Sequence, residues 1–178
     1  AADVASGPGE VKRDALSLDR RAAGRNRSAP RLDNATMSFT DDEVERYARQ
    51  LVLREVGGQG QQRLKAASVL IVGAGGLGAP AALYLAAAGV GRIVLADPDV
   101  VDTSNLQRQI IFRNTDVGAK KVEAAAAHLR ALNPHVHVDC APVHLETCNA
   151  GPLVAGVDLV LYGTDDFSTR FAVNAACV

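Results

Sequence analysis

Short apolar runs alternate with longer helical patterns along this chain, and that alternation restricts the fold more than any other feature. Residues 69–72 are a run of β-branched residues and Leu, typical of a strand buried on both faces of a sheet. Further strands are predicted over 92–97, 136–140 and 157–162. Helices between strands imply parallel βαβ units. We therefore predict an α/β fold, Rossmann-like and doubly wound, with a mostly parallel sheet.

Apolar residues at helical spacing predict the helices that connect these strands. The first helix starts after a capping box formed by Thr40 and Glu43, and it is expected to reach about residue 55. Gly57-Gly-Gln-Gly60 is then expected to break the chain. Three later helices are predicted, over residues 76–88, 118–132 and 166–178.

The two ends of the chain set the expected domain organisation. Residues 1–36 are rich in Ala, Arg, Ser, Gly and Asp without a sustained apolar period, so we expect a disordered tail. The chain ends at Val178, inside a predicted helix. We therefore expect residues 37–178 to be the N-terminal part of one domain, truncated before its C-terminal half.

Composition excludes several classes of function. The net charge is −1 and the chain has no Trp, three Tyr and four Phe, so we expect no direct nucleic-acid binding. No apolar run approaches the roughly 18–20 residues of a membrane span, so no membrane association is expected. Three cysteines without a C-x-x-C pair fit a reducing compartment, and we expect a cytoplasmic protein.

The glycine loop after the first strand indicates a nucleotide site. Gly73, Gly75 and Gly78 form a G-x-G-x-x-G between a strand and a helix, where glycine lets the backbone approach a phosphate. Asp97 ends the second strand, 19 residues after Gly78, and an acid there can accept hydrogen bonds from ribose hydroxyls. These features alone do not separate a nicotinamide-dependent oxidoreductase from an ATP-binding enzyme. The structural alternatives are a plain glycine turn and a strand-capping Asp.

Polar and basic side chains after the second strand favour a triphosphate. Asn105, Arg108 and Gln109 lie close together, and Lys120 and Lys121 open the next helix. A pyrophosphate on a helix N-terminus does not need this much positive charge, whereas the crowded phosphates of ATP do. The alternative for each basic residue is an ordinary surface charge.

Thr164-Asp165-Asp166 follows the fourth strand directly. Ligands of open α/β sheets bind at the carboxyl ends of strands, and carboxylates with phosphate oxygens are the ligands that Mg²⁺ prefers. A magnesium site is one interpretation. The other is helix capping, with Thr164 or Asp165 at the N-cap.

The histidines carry no predicted site. His135 and His137 alternate on one face of the third predicted strand, and His144 lies nearby in sequence. Because no Cys or carboxylate stands at a matching spacing, we expect surface or strand-edge positions rather than a metal site.

Eight segments carry a resemblance to a known family: Arg46-Tyr-Ala-Arg-Gln-Leu-Val-Leu53, the glycine loop, Gly89-Val-Gly91, Asp97-Pro-Asp99, Ser104-Asn-Leu-Gln-Arg-Gln109, Val117-Gly-Ala-Lys-Lys-Val122, Thr164-Asp165 and Thr169-Arg170. Together they resemble the ubiquitin-activating-like ThiF/MoeB/HesA superfamily. The closest likeness is to its adenylyltransferases for sulfur-carrier proteins and their eukaryotic sulfurtransferase relatives. The resemblance covers residues 40–178.

The resemblance implies an activity. It is ATP-dependent adenylation of the C-terminal glycine carboxylate of a ubiquitin-like sulfur carrier ending in Gly-Gly, in molybdenum-cofactor biosynthesis, tRNA thiolation or both. A non-enzymatic alternative is an inactive pairing subunit of a heterodimer. The presence of both Arg108 and Asp165 argues against it. An oxidoreductase would leave the residues after the second strand unexplained.

The resemblance also implies roles for single residues. Arg49 matches an arginine that family dimers send into the neighbouring subunit's active site, so a homodimer is implied. The implied contacts with ATP and Mg²⁺ are Gly75 and Gly76 for close backbone approach, Asp97 for ribose, Asn105, Arg108, Gln109 and Lys121 for phosphates, and Asp165 for Mg²⁺ and for adenylation.

Departures from the family pattern are expected to matter. Asp166 stands where Asn is common and could alter the metal geometry, and Tyr162-Gly163 stands where a small or Cys-containing pair is usual. Cys177 matches a structural family position rather than a nucleophile. The Zn²⁺ ligands of the family, its acceptor cysteine and any rhodanese domain are expected beyond Val178.

Overall fold

The computed structural model describes residues 38–178, so the tail expected over 1–36 lies outside the described residues. No helix in the described range is long and apolar enough to cross a membrane. The described elements are, in chain order, α1 Asp41–Leu51, α2 Gly57–Ala66, β1 Ser68–Val72, α3 Gly78–Ala88, β2 Arg92–Ala96, α4 Lys121–Leu132, β3 His137–Ala141, α5 Ala150–Ala155, β4 Leu159–Tyr162 and α6 Phe167–Cys177, with short 3₁₀ turns at Thr103–Asn105 and Asn114–Asp116.

All four described strands run parallel, in the order β3-β2-β1-β4. The chain moves outward from β1 to β3 and then returns to add β4 on the other side of β1. The strand order therefore reverses between β1 and β4, and doubly wound sheets bind ligands at the carboxyl edge of such a point. The predicted α/β, doubly wound, parallel architecture is confirmed for this part of the chain.

Each face of the sheet has its own apolar core. Val69 and Ile71 point into the core that α3 and α4 cover, while Leu70 and Val72 point into the core that α5 and α6 cover. β1 is thus buried on both faces, as its unbroken apolar run predicts.

The helix α1 packs at the end of the fold away from the glycine loop. Its capping box is present, because Thr40 and Glu43 exchange side-chain and backbone hydrogen bonds. Tyr47 is buried against the carboxyl end of α3, and its hydroxyl accepts a 2.8 Å hydrogen bond from Asn133 Nδ2. Gly89 lies there at a φ of 85°, and a Cβ on it would stand 2.6 Å from the Tyr47 ring. Only glycine fits this corner.

The local structure differs from the predictions in three places. The helix α1 ends at Leu51 rather than near residue 55. Gly57-Gly-Gln-Gly60 is the first turn of α2 rather than a break. The low helix propensity of three glycines is overridden because Gln61 is fully buried and donates a 2.9 Å hydrogen bond to Ala88 O. The helix α5 was not predicted, since Gly151-Pro152 is typical of a loop, yet Ala150 and Leu153 are buried beside α6.

Candidate functional site

A cleft of about 670 Å³ opens at the carboxyl edge of the sheet. Its walls are the glycine loop after β1 and the segments that follow β2, β3 and β4. Eight residues expected at a nucleotide site line this cleft: Gly75, Gly76, Asp97, Asn105, Arg108, Gln109, Lys121 and Asp165. Chain positions as far apart as 75 and 165 therefore meet at one place.

The glycine loop is folded so tightly that three glycines touch backbone. Gly73 has a φ of 92°, and a Cβ on Gly78 would stand 1.8 Å from Gly73 O. Gly163, which follows β4, packs against the same loop, since its Cβ would lie 3.0 Å from Gly78 N. These glycines give the loop its shape and join it to the end of β4.

Gly75 and Gly76 are different, because a Cβ on either would meet only side chains. The nearest atom to a Cβ on Gly75 is Gln109 Nε2 at 3.9 Å, and a Cβ on Gly76 would lie 3.6 Å from carbons of Arg108. The missing side chains leave space in the cleft rather than relieve a backbone clash. This is the cradle that a phosphate approaching the helix N-terminus needs.

Asp97 is buried and ties the glycine loop to the end of β2. Its Oδ2 accepts from Ala74 N at 2.7 Å, and its Oδ1 accepts from Asp99 N at 2.9 Å. Asp97 therefore has the structural role of the strand-capping alternative. Each carboxylate oxygen has a second lone pair, so the anchored carboxylate can still accept a hydroxyl from the cleft.

Lys121 places a nearly buried ammonium group in the cleft. Its side chain is 6% exposed, and Nζ pairs with Asp99 Oδ2 at 2.8 Å, which uses one of its three donors. Lys120 is the opposite case, because it is 53% exposed, lies outside the cleft lining and pairs with Glu123 at 3.0 Å. Of the two adjacent lysines, Lys121 alone has the position of a ligand-binding cation.

The segment after β2 supplies three further polar side chains. Arg108 is exposed and donates to Ser104 O at 3.3 Å, while Asn105 Nδ2 donates to Ser104 Oγ at 3.3 Å. Gln109 is buried, and its Oε1 has no hydrogen-bond partner among the described residues. Because Oε1 can only accept, a ligand at this wall would satisfy it with a donor, whereas a phosphate oxygen could be met only by the Nε2 amide of Gln109.

Asp165 and Asp166 have separate positions at the end of β4. Asp166 is the N-cap of α6 and accepts from Ser168 N and from Thr169 N, the latter at 2.8 Å. The hydrogen bonds from Thr169 and Ser168 hold the pKa of the Asp166 carboxyl well below its usual range. The helix cap thus falls on Asp166, not on Thr164 or Asp165. Asp165 remains exposed in the cleft, and an Asn at position 166 could cap the helix equally well.

The donor set fits a magnesium ion held jointly with a substrate. Mg²⁺ usually takes one or two carboxylates and completes its shell with phosphates and water, and Asp165 supplies one exposed carboxylate in the cleft. Zinc does not fit, because residues 38–178 contain no group of three His, Cys, Asp or Glu side chains able to hold a metal, and Cys140, Cys148 and Cys177 are free.

Arg49 does not reach the cleft of its own chain. It is exposed on α1, and the neighbouring Gln50 donates a 3.4 Å hydrogen bond to Ala88 O, at the carboxyl end of α3. The cleft lies at the other end of α3, about 16 Å away along eleven residues. Arg49 is therefore not part of the cleft lining of its own chain.

Among the cleft residues to which the sequence assigned no site role, three have polar side chains able to contact a ligand: Asp99, His144 and Thr169. Asp99 could have been predicted from the sequence, because it stands two residues beyond Asp97 at the end of a strand. His144 is exposed as expected but lines the cleft, and no sequence spacing shows this. His135 and His137 instead pair with Asp42 and Asp139 outside the cleft lining.

Two curated relatives illustrate what the chain is similar to. It is 49% identical over 142 residues to the sulfur carrier protein adenylyltransferase of Thermus thermophilus, covering 80% of this chain and 52% of that protein. It is 54% identical over 140 residues to the adenylyltransferase and sulfurtransferase uba4 of Pyricularia oryzae, covering 79% and 29%. The chain thus spans about half the length of these curated relatives, or less.

The fold also matches solved structures. E. coli tRNA N6-threonylcarbamoyladenosine dehydratase, TcdA, in complex with ATP, matches with a TM-score of 0.74 and 30% sequence identity over 79% of this chain and 57% of that chain. The family model described as the ThiF family matches residues 47–178, well over half of the sequence. On that match, this chain belongs to the ThiF family.

Proposed function

We propose that this chain is the nucleotide-binding part of an ATP-dependent adenylyltransferase. The observation that carries the proposal is the meeting in one cleft of an anchored carboxylate, Asp97, a buried ammonium, Lys121, and an exposed carboxylate, Asp165. These groups suit ribose hydroxyls, phosphates and magnesium, which are the parts of magnesium ATP. The likeness to a protein solved with ATP supports the same nucleotide.

The proposed reaction is attack of a carboxylate oxygen on the α-phosphorus of ATP. The new O–P bond forms while the bond from the α-phosphorus to the oxygen bridging to the β-phosphate breaks. Pyrophosphate leaves with that electron pair, and an acyl-adenylate remains. The attacking carboxylate is already ionised, so no proton has to move. Such a step depends on positioning and on stabilising developing negative charge.

The residues divide this work along the nucleotide. Asp97 orients the ribose, and Gly75 and Gly76 give the phosphates access to backbone N–H groups. Lys121 and Arg108 stabilise the charge on the departing pyrophosphate. The remaining assignments are Asn105 and Gln109 as hydrogen-bonding partners of phosphate oxygens, and Asp165 as the protein ligand that would hold Mg²⁺, whose chemistry is to neutralise phosphate charge.

The substrate we propose is the C-terminal glycine of a ubiquitin-like sulfur carrier that ends in Gly-Gly. The relative named sulfur carrier protein adenylyltransferase, at 49% identity, supports this class of substrate. The relative named adenylyltransferase and sulfurtransferase, at 54% identity, supports the reaction. The biological setting would be molybdenum-cofactor biosynthesis, tRNA thiolation or both, in the cytoplasm.

We further propose a homodimer in which Arg49 serves the partner's cleft. The helix α3 has no charged side chain, yet Tyr84 on it is 77% exposed and Leu77, its N-cap, is 71% exposed. Val52, just beyond Arg49, is 80% exposed. A helix that is apolar all round is normally buried. A second copy whose α3 packs antiparallel on this α3 would cover these residues. The carboxyl end of the partner's α3 would then lie beside the amino end of this one, which would bring the partner's Arg49 to this cleft.

The proposal is tested by ATP–pyrophosphate exchange with labelled pyrophosphate and a carrier ending in Gly-Gly. We expect exchange with the wild-type protein and its loss in Asp165→Ala, whereas Lys120→Ala, outside the cleft, retains it. A carrier without its last glycine is the substrate control. NADH binding without exchange would support the oxidoreductase alternative instead. ATP binding without exchange would identify an inactive pairing subunit.

A further inference from the structure

The segment after β3 forms the wall of the cleft that faces away from the glycine loop. β3 pairs with β2 up to Ala96 and Ala141, and Asp97 N donates to Ala141 O at 3.2 Å. The glycine loop, Asp97 and the segment after β3 therefore follow strands β1, β2 and β3 in that order. Adjacent strands are about 4.8 Å apart, so about 10 Å separates the two ends of this series.

That order matches the order of the parts of a nucleotide. On the proposed function, on which this inference rests, the phosphates lie on the glycine loop and the ribose on Asp97. The base then falls against Val143, His144 and Leu145, which all line the cleft. Val143 is half-buried and gives this end apolar surface for a face of the base, whereas Leu145 is 2% exposed and belongs to the apolar core. His144 is the hydrogen-bonding side chain between them, and its side chain is 49% exposed.

The contacts of His144 favour one tautomer of its ring. His144 Nε2 lies 3.2 Å from Thr169 Oγ1 and 3.7 Å from Asp166 Oδ2. Thr169 is buried and uses its own hydroxyl proton on Leu145 O, at 3.2 Å. Both groups therefore face Nε2 as acceptors, so Nε2 is the donor. In the neutral ring, Nδ1 is then a hydrogen-bond acceptor.

We propose that His144 is the base-recognition residue of this cleft, with Nδ1 accepting a hydrogen bond from the 6-amino group of adenine. Adenine presents a donor at position 6, whereas guanine presents an oxygen acceptor there. An acceptor held in place by Thr169 therefore favours adenine and rejects guanine. His144 is a specificity-determining residue on this view, and the phosphate end of the cleft does not depend on it.

The test is a comparison of three nucleotides by calorimetric titration: ATP, GTP and purine riboside 5′-triphosphate, which lacks the 6-amino group. We expect the wild-type chain to bind ATP about five-fold more tightly than the purine analogue, the effect of one net hydrogen bond. His144→Ala should bind ATP and the analogue equally. His144→Asn, whose Oδ1 can take the place of Nδ1, should recover part of the preference.

His137→Ala is the matched control, because His137 is 71% exposed at the opposite end of β3, paired with Asp139. It should keep the wild-type preference among the three nucleotides. Equal preference for ATP over the analogue in wild type and His144→Ala would overturn the assignment of His144 and leave the proposed function standing. A wild-type chain that binds no triphosphate at all would overturn the proposed function itself.

Discussion

Asp99 and Lys121 form a 2.8 Å ion pair in which the lysine side chain is 6% exposed and the carboxylate side chain is 63% exposed. The same two residues share a backbone hydrogen bond, from Lys121 N to Asp99 O at 2.9 Å. The pair therefore closes the base of the loop that carries Arg108 and Gln109. It also gives the buried ammonium a partner before any nucleotide binds.

We predict that Asp99→Asn destabilises the nucleotide-free protein more than the ATP-bound protein. Removing the carboxylate leaves the charge of Lys121 buried and unpaired, at a cost of about 1 kcal/mol given the exposure of Asp99. A bound triphosphate would supply the missing negative charge. Urea unfolding with and without saturating ATP measures both free energies of unfolding. An equal loss in the two conditions would show that Lys121 does not meet the phosphates.

Gly76→Ala and Gly78→Ala should fail in different ways. A methyl on Gly76 meets only carbons of Arg108 at 3.6 Å, so we expect an unchanged free energy of unfolding and about ten-fold weaker ATP binding, because the phosphate cradle is filled. A methyl on Gly78 would stand 1.8 Å from Gly73 O, which should cost about 3 kcal/mol or more. Urea unfolding and nucleotide titration of both variants separate these outcomes. Wild-type ATP affinity in Gly76→Ala would contradict the cradle.

Asp166 should contribute to the acid sensitivity of the fold. Its pKa is lower in the folded protein than the ordinary 3.8, so its ionised form adds stability that is present above about pH 4 and is lost as the pH falls further. Asp166→Asn keeps the cap without the charge. We expect its free energy of unfolding to fall less steeply than that of wild type below about pH 4. Chemical denaturation across that range measures the two slopes.

Asp166→Ala is the matched variant for that comparison, because it removes the cap itself. It should be less stable than Asp166→Asn at neutral pH, where charge titration plays no part. Identical stability of the two variants at neutral pH would mean that the cap of α6 contributes nothing.

Mixing two inactive variants should restore activity if Arg49 acts across a dimer. In a mixed dimer of Arg49→Ala and Asp165→Ala, one cleft has both side chains and the other has neither. After subunit exchange, pyrophosphate exchange should recover to about one quarter of the wild-type value, because half of the dimers are mixed and each has one complete cleft. Either variant alone should stay inactive. No recovery from a mixture shown to be dimeric would remove Arg49 from the partner's cleft.

The sheet and most of the cleft could be predicted from the sequence because both rest on local signals. The apolar run of β1, the glycine spacing and Asp97 at a strand end each predict their structure without distant contacts. Charge and spacing alone predicted Lys121 together with Lys120, and only the family resemblance singled out Lys121 as a phosphate contact. Burial of Lys121 against Asp99 makes the same distinction in the structure.

The parts that were missed depend on contacts between distant segments. The helix α2 forms in spite of its glycines because Gln61 is buried against Ala88. His144 joins the cleft because Thr169, 25 residues later in the chain, holds its ring. Spacing along the chain shows neither contact, and intrinsic propensity points the other way for α2.

The close packing of Gly163 against Gly73 and Gly78 sets a tolerance for the whole cleft. The backbone of the glycine loop packs directly against the backbone at the end of β4, with no side chain between them. The offset between the phosphate loop and Asp165, two residues past Gly163, is therefore governed by atomic radii and not by the rotamer of an intervening side chain. No change of rotamer can alter this contact, and a side chain at Gly73 or at Gly163 would push the glycine loop and the end of β4 apart.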